Sequence, residues 1–199
     1  MFHDQEETMS DFRTKYQITE YCHHFLADYI CEGDCCVDAT CGNGNDTLFL
    51  CQNVGRAGKV YAFDVQETAV ENTRRRLTEA GCEDRAVLIC GGHEHMSSYV
   101  REKISVIMFN FGYLPGGDHS LATKAETSLM AVKQGLDLLK TGGVMGLCIY
   151  SGGDTGYEEK EALLGYLKNL DPGKWLVLVH EFYNRKNDPP LPVFIIRLK

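Results

Sequence analysis

Residues 37–47 read VDATCGNGNDT. One acid, Asp38, closes an apolar run, Gly42 and Gly44 stand one residue apart, and a second acid, Asp46, follows. Glycines at such a turn can take positive φ and let the backbone approach a ligand without a Cβ in the way. Asn43 and Asn45 add short amides that tolerate turns and can donate to a carboxylate. Asp64, about twenty residues beyond the glycines, is placed to accept hydrogen bonds from both hydroxyls of a ribose. The set selects an adenosine-type ligand. A dinucleotide loop would carry a third glycine where this chain has Thr47, and its pyrophosphate needs a helix N-terminus. Here Asp46 takes that entrance; its charge would repel a pyrophosphate and attract the cationic amino group or sulfonium of S-adenosylmethionine. Asp38 points the same way. Both acids also have plain structural uses, Asp46 as a helix N-cap and Asp38 as a buried acid holding the loop amides.

A second chemical stretch, NFGYLPGGD, begins at Asn110. In methyltransferases that modify nitrogen, a related Asn-Pro-Pro-Tyr turn offers carbonyl and amide acceptors to the amine and stacks its ring on a planar base. Phe111-Gly112 replaces the Pro-Pro here, so the likeness is partial, and a Gly/Pro loop with Tyr113 packed in the core is the plainer alternative.

These residues need elements to position them. Ile18 to Cys31 has apolar residues at helical spacing. CCVDAT is a short buried strand, and Asp46 to Val54 resumes helical character after the glycine turn. Lys59 to Val65, Ala86 to Cys90, Ile104 to Phe109 and Val144 to Tyr150 are further short apolar strands. Such strands suit a parallel sheet covered on both faces. Helices are expected over Gln66 to Ala80, from a capping box at Thr123–Glu126 to Thr141-Gly142-Gly143, and over Tyr157 to Leu170, with a weak one between the third and fourth strands. Trp175 to Tyr183 and Val193 to Leu198 are separated by too few residues for a helical crossover, so they should form an antiparallel hairpin. The expected fold is a doubly wound α/β, Rossmann-like domain with a seven-stranded mixed sheet and a C-terminal hairpin. In it, ligands bind at the carboxyl ends of the strands, which carry Asp38–Asp46, Asp64–Gln66, Gly91-Gly92-His93, Asn110–Asp118 and Ser151–Thr155.

The 199 residues fit one domain, with residues 1–15 expected as a flexible or loosely packed segment. The acidic start lacks the pattern of a signal peptide, and no apolar run reaches the ~18 residues of a membrane span, so a cytoplasmic protein is expected. Nine cysteines then point to reduced thiols. Cys35, Cys36, Cys41, Cys90 and Cys148 fall in or beside apolar runs, where the thiol acts as a small hydrophobe; no zinc-type spacing occurs, and no metal is expected. A net charge of −8 argues against broad nucleic-acid binding, which rests on phosphate neutralisation. Local basic clusters remain: Arg74–Arg76, Arg101 with Lys103, and Arg185 with Lys186.

DATCGNGNDTLFL, FDVQ, GGHE, NFGYLPGGDHS, YSGGDTGYEE and the ending WLVLVHEFYNRKNDPPLPVFIIRLK, in that order, resemble the YtqB-like, or MnmM-type, family of class I S-adenosylmethionine-dependent methyltransferases, first described as rRNA methylases. The resemblance covers almost the whole chain after residue 15. It implies methylation of the amine of 5-aminomethyl-2-thiouridine at the tRNA wobble position, giving 5-methylaminomethyl-2-thiouridine. It also implies that Asn43, Asn45, Asp64, Gln66, Gly92 and His93 hold S-adenosylmethionine, with Thr40, Gly42 and Gly44 shaping the loop and His93 stacking on or bonding near the adenine. Asn110, Tyr113, Asp118 and His119 would form the acceptor side, Asp118 or His119 taking the proton. This chain departs from the family in having Ser151-Gly152-Gly153-Asp154 where a histidine is common. The partner expected is the anticodon stem-loop of tRNA, with no DNA and no membrane, and a homodimer could bring basic patches of two chains together. The competing expectations are an rRNA methyltransferase, a small-amine methyltransferase and a non-catalytic S-adenosylmethionine-binding module.

Overall fold

The computed structural model describes residues 16–111, 123–151, 153–186 and 188–199. The segment 1–15 and the acceptor-loop residues Tyr113, Asp118 and His119 lie outside the described residues. In chain order the elements are α1 (Ile18–Ala27), β1 (Cys35–Asp38), α2 (Asn45–Val54), β2 (Lys59–Asp64), α3 (Glu67–Glu79), β3 (Ala86–Cys90), α4 (Met96–Tyr99), β4 (Ile104–Phe111), α5 (Ala125–Leu138), β5 (Leu139–Ile149), α6 (Gly153–Leu167), β6 (Trp175–Val179) and β7 (Leu191–Arg197).

The seven strands form one mixed sheet in the order β3-β2-β1-β4-β5-β7-β6. β1 to β5 run parallel, whereas β7 lies antiparallel to both β5 and β6. The expected C-terminal hairpin is therefore present. Chain order reverses between β1 and β4, where Val37 pairs with Ile107 and Asp38 with Met108. A crevice opens at such a point because the connections leave to opposite faces.

Successive strand residues point to opposite faces, and the core divides accordingly. Val37, Phe63, Ile107, Phe109, Met145 and Leu147 pack with α4, α5 and α6 on one face. Cys36, Val60, Val106, Met108 and Val144 pack with α1, α2 and α3 on the other. Burial on both faces is why these strands read as continuous apolar runs. Of the five cysteines expected as small hydrophobes, Cys36, Cys41 and Cys148 are buried and Cys35 is half-buried, while Cys90 is exposed at the sheet's far edge.

Several boundaries differ from expectation. β4 runs on through Asn110 and Phe111 because Asn110 pairs with Cys148 of β5. β6 stops at Val179; His180 still donates to the Pro192 carbonyl, and a turn then closes from Phe182 to Arg185. The capping box at Thr123 does not form. Lys124 is the N-cap, and the Thr123 hydroxyl donates instead to buried Glu159 of α6, which also accepts from Ser128 at 2.5 Å. A tertiary bond between α5 and α6 has taken the hydroxyl that local spacing assigned to its own helix.

Candidate cofactor and acceptor site

The turn after β1 is a braced loop. Gly42 (φ 51°) and Gly44 (φ 79°) both occupy the left-handed region. At Gly44 an added Cβ would also lie 2.9 Å from the Thr73 Cα, a backbone atom that cannot step aside. Gly44, not Asp46, is the N-cap of α2. Helix α3 clamps the loop from outside: Thr73 Oγ1 donates to the Gly42 carbonyl (3.1 Å), Arg76 Nε to the Asn43 carbonyl (2.7 Å) and Asn72 Nδ2 to Asn43 Oδ1 (3.1 Å). From inside, Asp64 at the end of β2 accepts the Gly42 N–H on one oxygen (3.0 Å) and the Gln66 N–H on the other (2.9 Å). An ionised carboxylate has about four acceptor sites, so Asp64 can brace the loop and still receive two ligand hydroxyls. Asn45 is exposed at the start of α2.

Asp38 is wholly buried and serves the loop, accepting the Thr40 N–H (3.1 Å) and the Thr47 hydroxyl (2.6 Å). The residue that breaks the dinucleotide pattern thus satisfies the acid that precedes it. Burial pushes the Asp38 carboxyl up to about 7, and the Asp46 charge adds to this against the hydrogen bonds from Thr47 and Thr40. A carboxyl raised on folding favours the folded protein fully below its unfolded value of about 4, and that contribution is lost as pH rises through about 7. Asp38→Asn keeps an acceptor for Thr40 and a partner for Thr47 but cannot ionise. Its melting temperature, relative to the unsubstituted protein, is expected to climb between pH 5 and 7.5 by on the order of 5 °C. Thermal melts at matched pH check this, and a pH-independent difference would remove Asp38 as the titrating group.

His93 lies inside the rim. Its ring is buried, its Nδ1–H donates to the Ala39 carbonyl (3.1 Å), and it meets Phe109 and Phe111 edge-on. Burial holds the imidazole below its usual value. The structure thus gives His93 a structural anchorage at the start of a short helical turn, with Gly92 as that turn's half-exposed N-cap.

Across the switch point stands Asn110. Its backbone N–H donates to Thr40 Oγ1 (2.7 Å), tying the end of β4 to the loop after β1. Its side-chain NH2 donates to Asp46. The other Asp46 oxygen lies 2.6 Å from His23 Nε2 of α1. The carboxamide thus turns its NH2 toward Asp46. Among the described residues, the buried Asn110 Oδ1 has no hydrogen-bond partner. The rim therefore combines three acids, an acceptor-rich loop and, among the described residues, a buried carbonyl oxygen without a partner, which suits a cationic adenosine ligand on the β1–β3 side and a hydrogen-bond donor beside β4. Asp38, Thr40, Gly42, Asn43, Gly44, Asp46, Asp64 and Asn110 are brought together. His23, Thr47, Asn72, Thr73 and Arg76 complete the bracing, and nothing in the local sequence pattern gave any of them that role.

The description "Putative rRNA methylase" belongs to a family model that matches residues 60–196. A curated relative, the chloroplastic tRNA (mnm(5)s(2)U34)-methyltransferase of Arabidopsis thaliana, is 36% identical over 91% of this chain and 69% of its own length. Among solved structures, one described as a "putative rRNA-methylase" from Clostridium thermocellum superposes with a TM-score of 0.88 at 45% identity, covering 90% of this chain and 96% of that one. A Streptococcus mutans methyltransferase in complex with SAH gives 0.83 at 39% identity, covering 90% and 97%.

Proposed function

The chain belongs to the rRNA methylase family of S-adenosylmethionine-dependent methyltransferases, and from that premise we propose that it methylates the amine of 5-aminomethyl-2-thiouridine at the tRNA wobble position, giving 5-methylaminomethyl-2-thiouridine. One observation in the site supports this reading above the others: a carboxamide at the end of β4 whose NH2 is held by Asp46 and whose Oδ1 is left unpartnered among the described residues. Such an oxygen accepts an N–H from an amine and so directs the nitrogen lone pair away from itself. The Arabidopsis relative's name specifies a tRNA substrate of the same chemistry.

The rim fits the cofactor. Asp64 has acceptor sites to spare for a ribose diol, and Gly42 and Gly44 give the backbone close approach. Asn43, Asn45, Gln66 and Gly92 line the same strand ends, and His93 supports them from within. Asp46 is buried behind His23 and Asn110, so it acts on a sulfonium through its field rather than by a direct bond. When bound, S-adenosylmethionine supplies an electrophilic methyl group that an uncharged amine takes in line. The chain's own part is alignment, exclusion of competing geometries and acceptance of the amine hydrogens. Tyr113 is assigned to the target base and Asp118 or His119 to the departing proton.

The partner is a tRNA anticodon stem-loop met in the cytoplasm. β6 is parallel to β5 because both oppose β7, so the loop after β6 opens on the same rim as the glycine turn. Tyr183 on that loop is 91% exposed, and Arg185 lies over Phe182 at 4.3 Å with Lys186 beside it. An exposed ring next to local positive charge suits unstacked loop bases, and a homodimer would add a second basic loop. Tyr183→Ala is expected to raise KM for tRNA by about 10-fold with cofactor affinity unchanged; equal KM values would move the RNA contact elsewhere.

The deciding experiment supplies labelled S-adenosylmethionine with tRNA lacking this methyl group and, in parallel, rRNA, and identifies the product nucleoside by mass spectrometry. Label in 5-methylaminomethyl-2-thiouridine supports the proposal. Label in rRNA overturns it, as does label in neither. The net charge of −8 favours one second reading, a small-amine methyltransferase, which would turn over free amines and leave tRNA unlabelled.

A further inference from the structure

A groove of about 670 Å³ runs between α1 and α2, bordered by Thr19, Glu20, His23, Asn45, Phe49 and Gln52. His23 forms part of its floor. The imidazole lies flat on the Phe49 ring, with centroids 4.1 Å apart and planes within 2°. Its Nε2 is 2.6 Å from Asp46 Oδ1, and the second Asp46 oxygen receives the Asn110 NH2. His23, Asp46 and Asn110, from three separate elements, thus connect the groove to the carboxamide at the end of β4.

The charge state of Asp46 decides how that chain is oriented. Asp38 and Asp46 are both buried, and the Asp46 charge adds to the upward push on the Asp38 carboxyl. The two carboxyls differ in the donors they meet. Among the described residues Asp38 is offered a hydroxyl and one amide N–H, whereas Asp46 meets the imidazole of His23 and the carboxamide NH2 of Asn110. Cys148 of β5 and Tyr150, the residue after β5, face the same space. The hydrogen bond with Cys22 pushes the Cys148 thiol up and burial pushes the Tyr150 phenol up, with the Asp46 charge adding to both, so they stay neutral. An anionic Asp46 accepts only and fixes the carboxamide with its NH2 on Asp46 and Oδ1 left without a partner among the described residues. A protonated Asp46 could donate, and the carboxamide could then rotate and present its NH2 to the amine hydrogens.

We propose that His23 is a positioning residue for methyl transfer, its Nε2–H holding Asp46 as the anion that locks the Asn110 carboxamide with Oδ1 toward the acceptor amine. The inference rests on the amine-methylating function argued above. Two substitutions separate the hydrogen bond from the packing. His23→Gln retains an N–H donor at nearly the Nε2 position but loses the ring; His23→Phe retains the stack on Phe49 but has no donor. With tRNA as acceptor, H23F is expected to lose about 10- to 100-fold in kcat while KM for S-adenosylmethionine and the affinity for S-adenosylhomocysteine stay within about twofold. H23Q is expected to stay within about threefold of the unsubstituted kcat. The reverse ranking, or two equally active variants, would overturn the proposal. Should H23F fail to bind S-adenosylhomocysteine, H23Q decides alone: normal cofactor affinity with lost turnover refutes the role of the N–H.

A second readout needs no RNA. In nitrogen-15 spectra the Asn110 side-chain amide is expected to show one strongly downfield proton, from its bond to a carboxylate, in the unsubstituted protein and in H23Q. In H23F the two amide protons should converge toward ordinary values. An unchanged Asn110 signal in H23F refutes the inference even if tRNA proves not to be the substrate. A changed signal together with unlabelled tRNA refutes only the tRNA assignment.

Discussion

Asp64→Ala is expected to weaken S-adenosylhomocysteine binding by about 100-fold, with kcat at saturating S-adenosylmethionine changed by no more than about threefold. On the proposed assignment the two ribose hydroxyls donate to this carboxylate, and hydrogen bonds to a charged group are worth about 1.5–3 kcal/mol each. Losing both, partly offset by water, leaves on the order of 3 kcal/mol, which is about two decades in Kd. The same substitution frees the Gly42 and Gln66 N–H groups, but both can turn to water because Asp64 is only half-buried. The three clamps from α3 continue to hold the loop from its other side, so the melting temperature should fall by only a few degrees. Calorimetric titration with S-adenosylhomocysteine, beside a thermal melt, checks the prediction. Unchanged affinity would place the ribose elsewhere on the rim. Unfolding in step with lost affinity would make Asp64 a loop brace and nothing more.

The features that could be read from the sequence share a physical reason. Buried parallel strands need apolar residues on both faces, so CCVD, KVYAFD and ISVIMF identified themselves, and the short final connection forced an antiparallel hairpin. Gly42 and Gly44 were legible because positive φ at a strand-to-helix turn is a local demand. Residues that act across elements were not. Thr73 and Arg76 lie on a helix whose polar face gives no hint that it meets a loop some 30 residues earlier in the chain. His23 sits within an ordinary amphipathic helix, and only the packing of α1 against α2 brings it to Asp46. The capping box at Thr123 fails for the same reason in reverse. A short-range pattern is one of several partners open to a hydroxyl, and the buried carboxylate of Glu159 is the stronger acceptor. The N-cap expected at Asp46 is lost likewise, because Gly44 opens the helix and leaves the acid free to join His23 and Asn110.

Asn110→Ala should lower kcat for methyl transfer by about 100-fold or more at saturating cofactor, with S-adenosylhomocysteine affinity within about threefold of the unsubstituted protein. The size follows from what the side chain does. Methyl transfer asks the protein mainly for alignment of a lone pair with a bond to be broken, and a misplacement on the order of 1 Å costs about 10²-fold. Alanine removes the unpartnered carboxamide oxygen at the end of β4 and also leaves Asp46 with an unfilled acceptor site in a buried setting. Asn110→Asp gives a second test of the same idea. It restores an oxygen but sets a carboxyl against Asp46, which can be relieved only by sharing a proton, so its activity should fall further as pH rises. Asn110→Gln keeps the carboxamide one methylene further out and should recover no more than a small part of the loss. Kinetics with tRNA as acceptor, with cofactor affinity measured separately, discriminate the roles. Parallel collapse of turnover and cofactor affinity would put Asn110 in the cofactor pocket. Turnover lost alone leaves it facing the amine, where the unpartnered Oδ1, the inward NH2 and the charge of Asp46 have one consistent use.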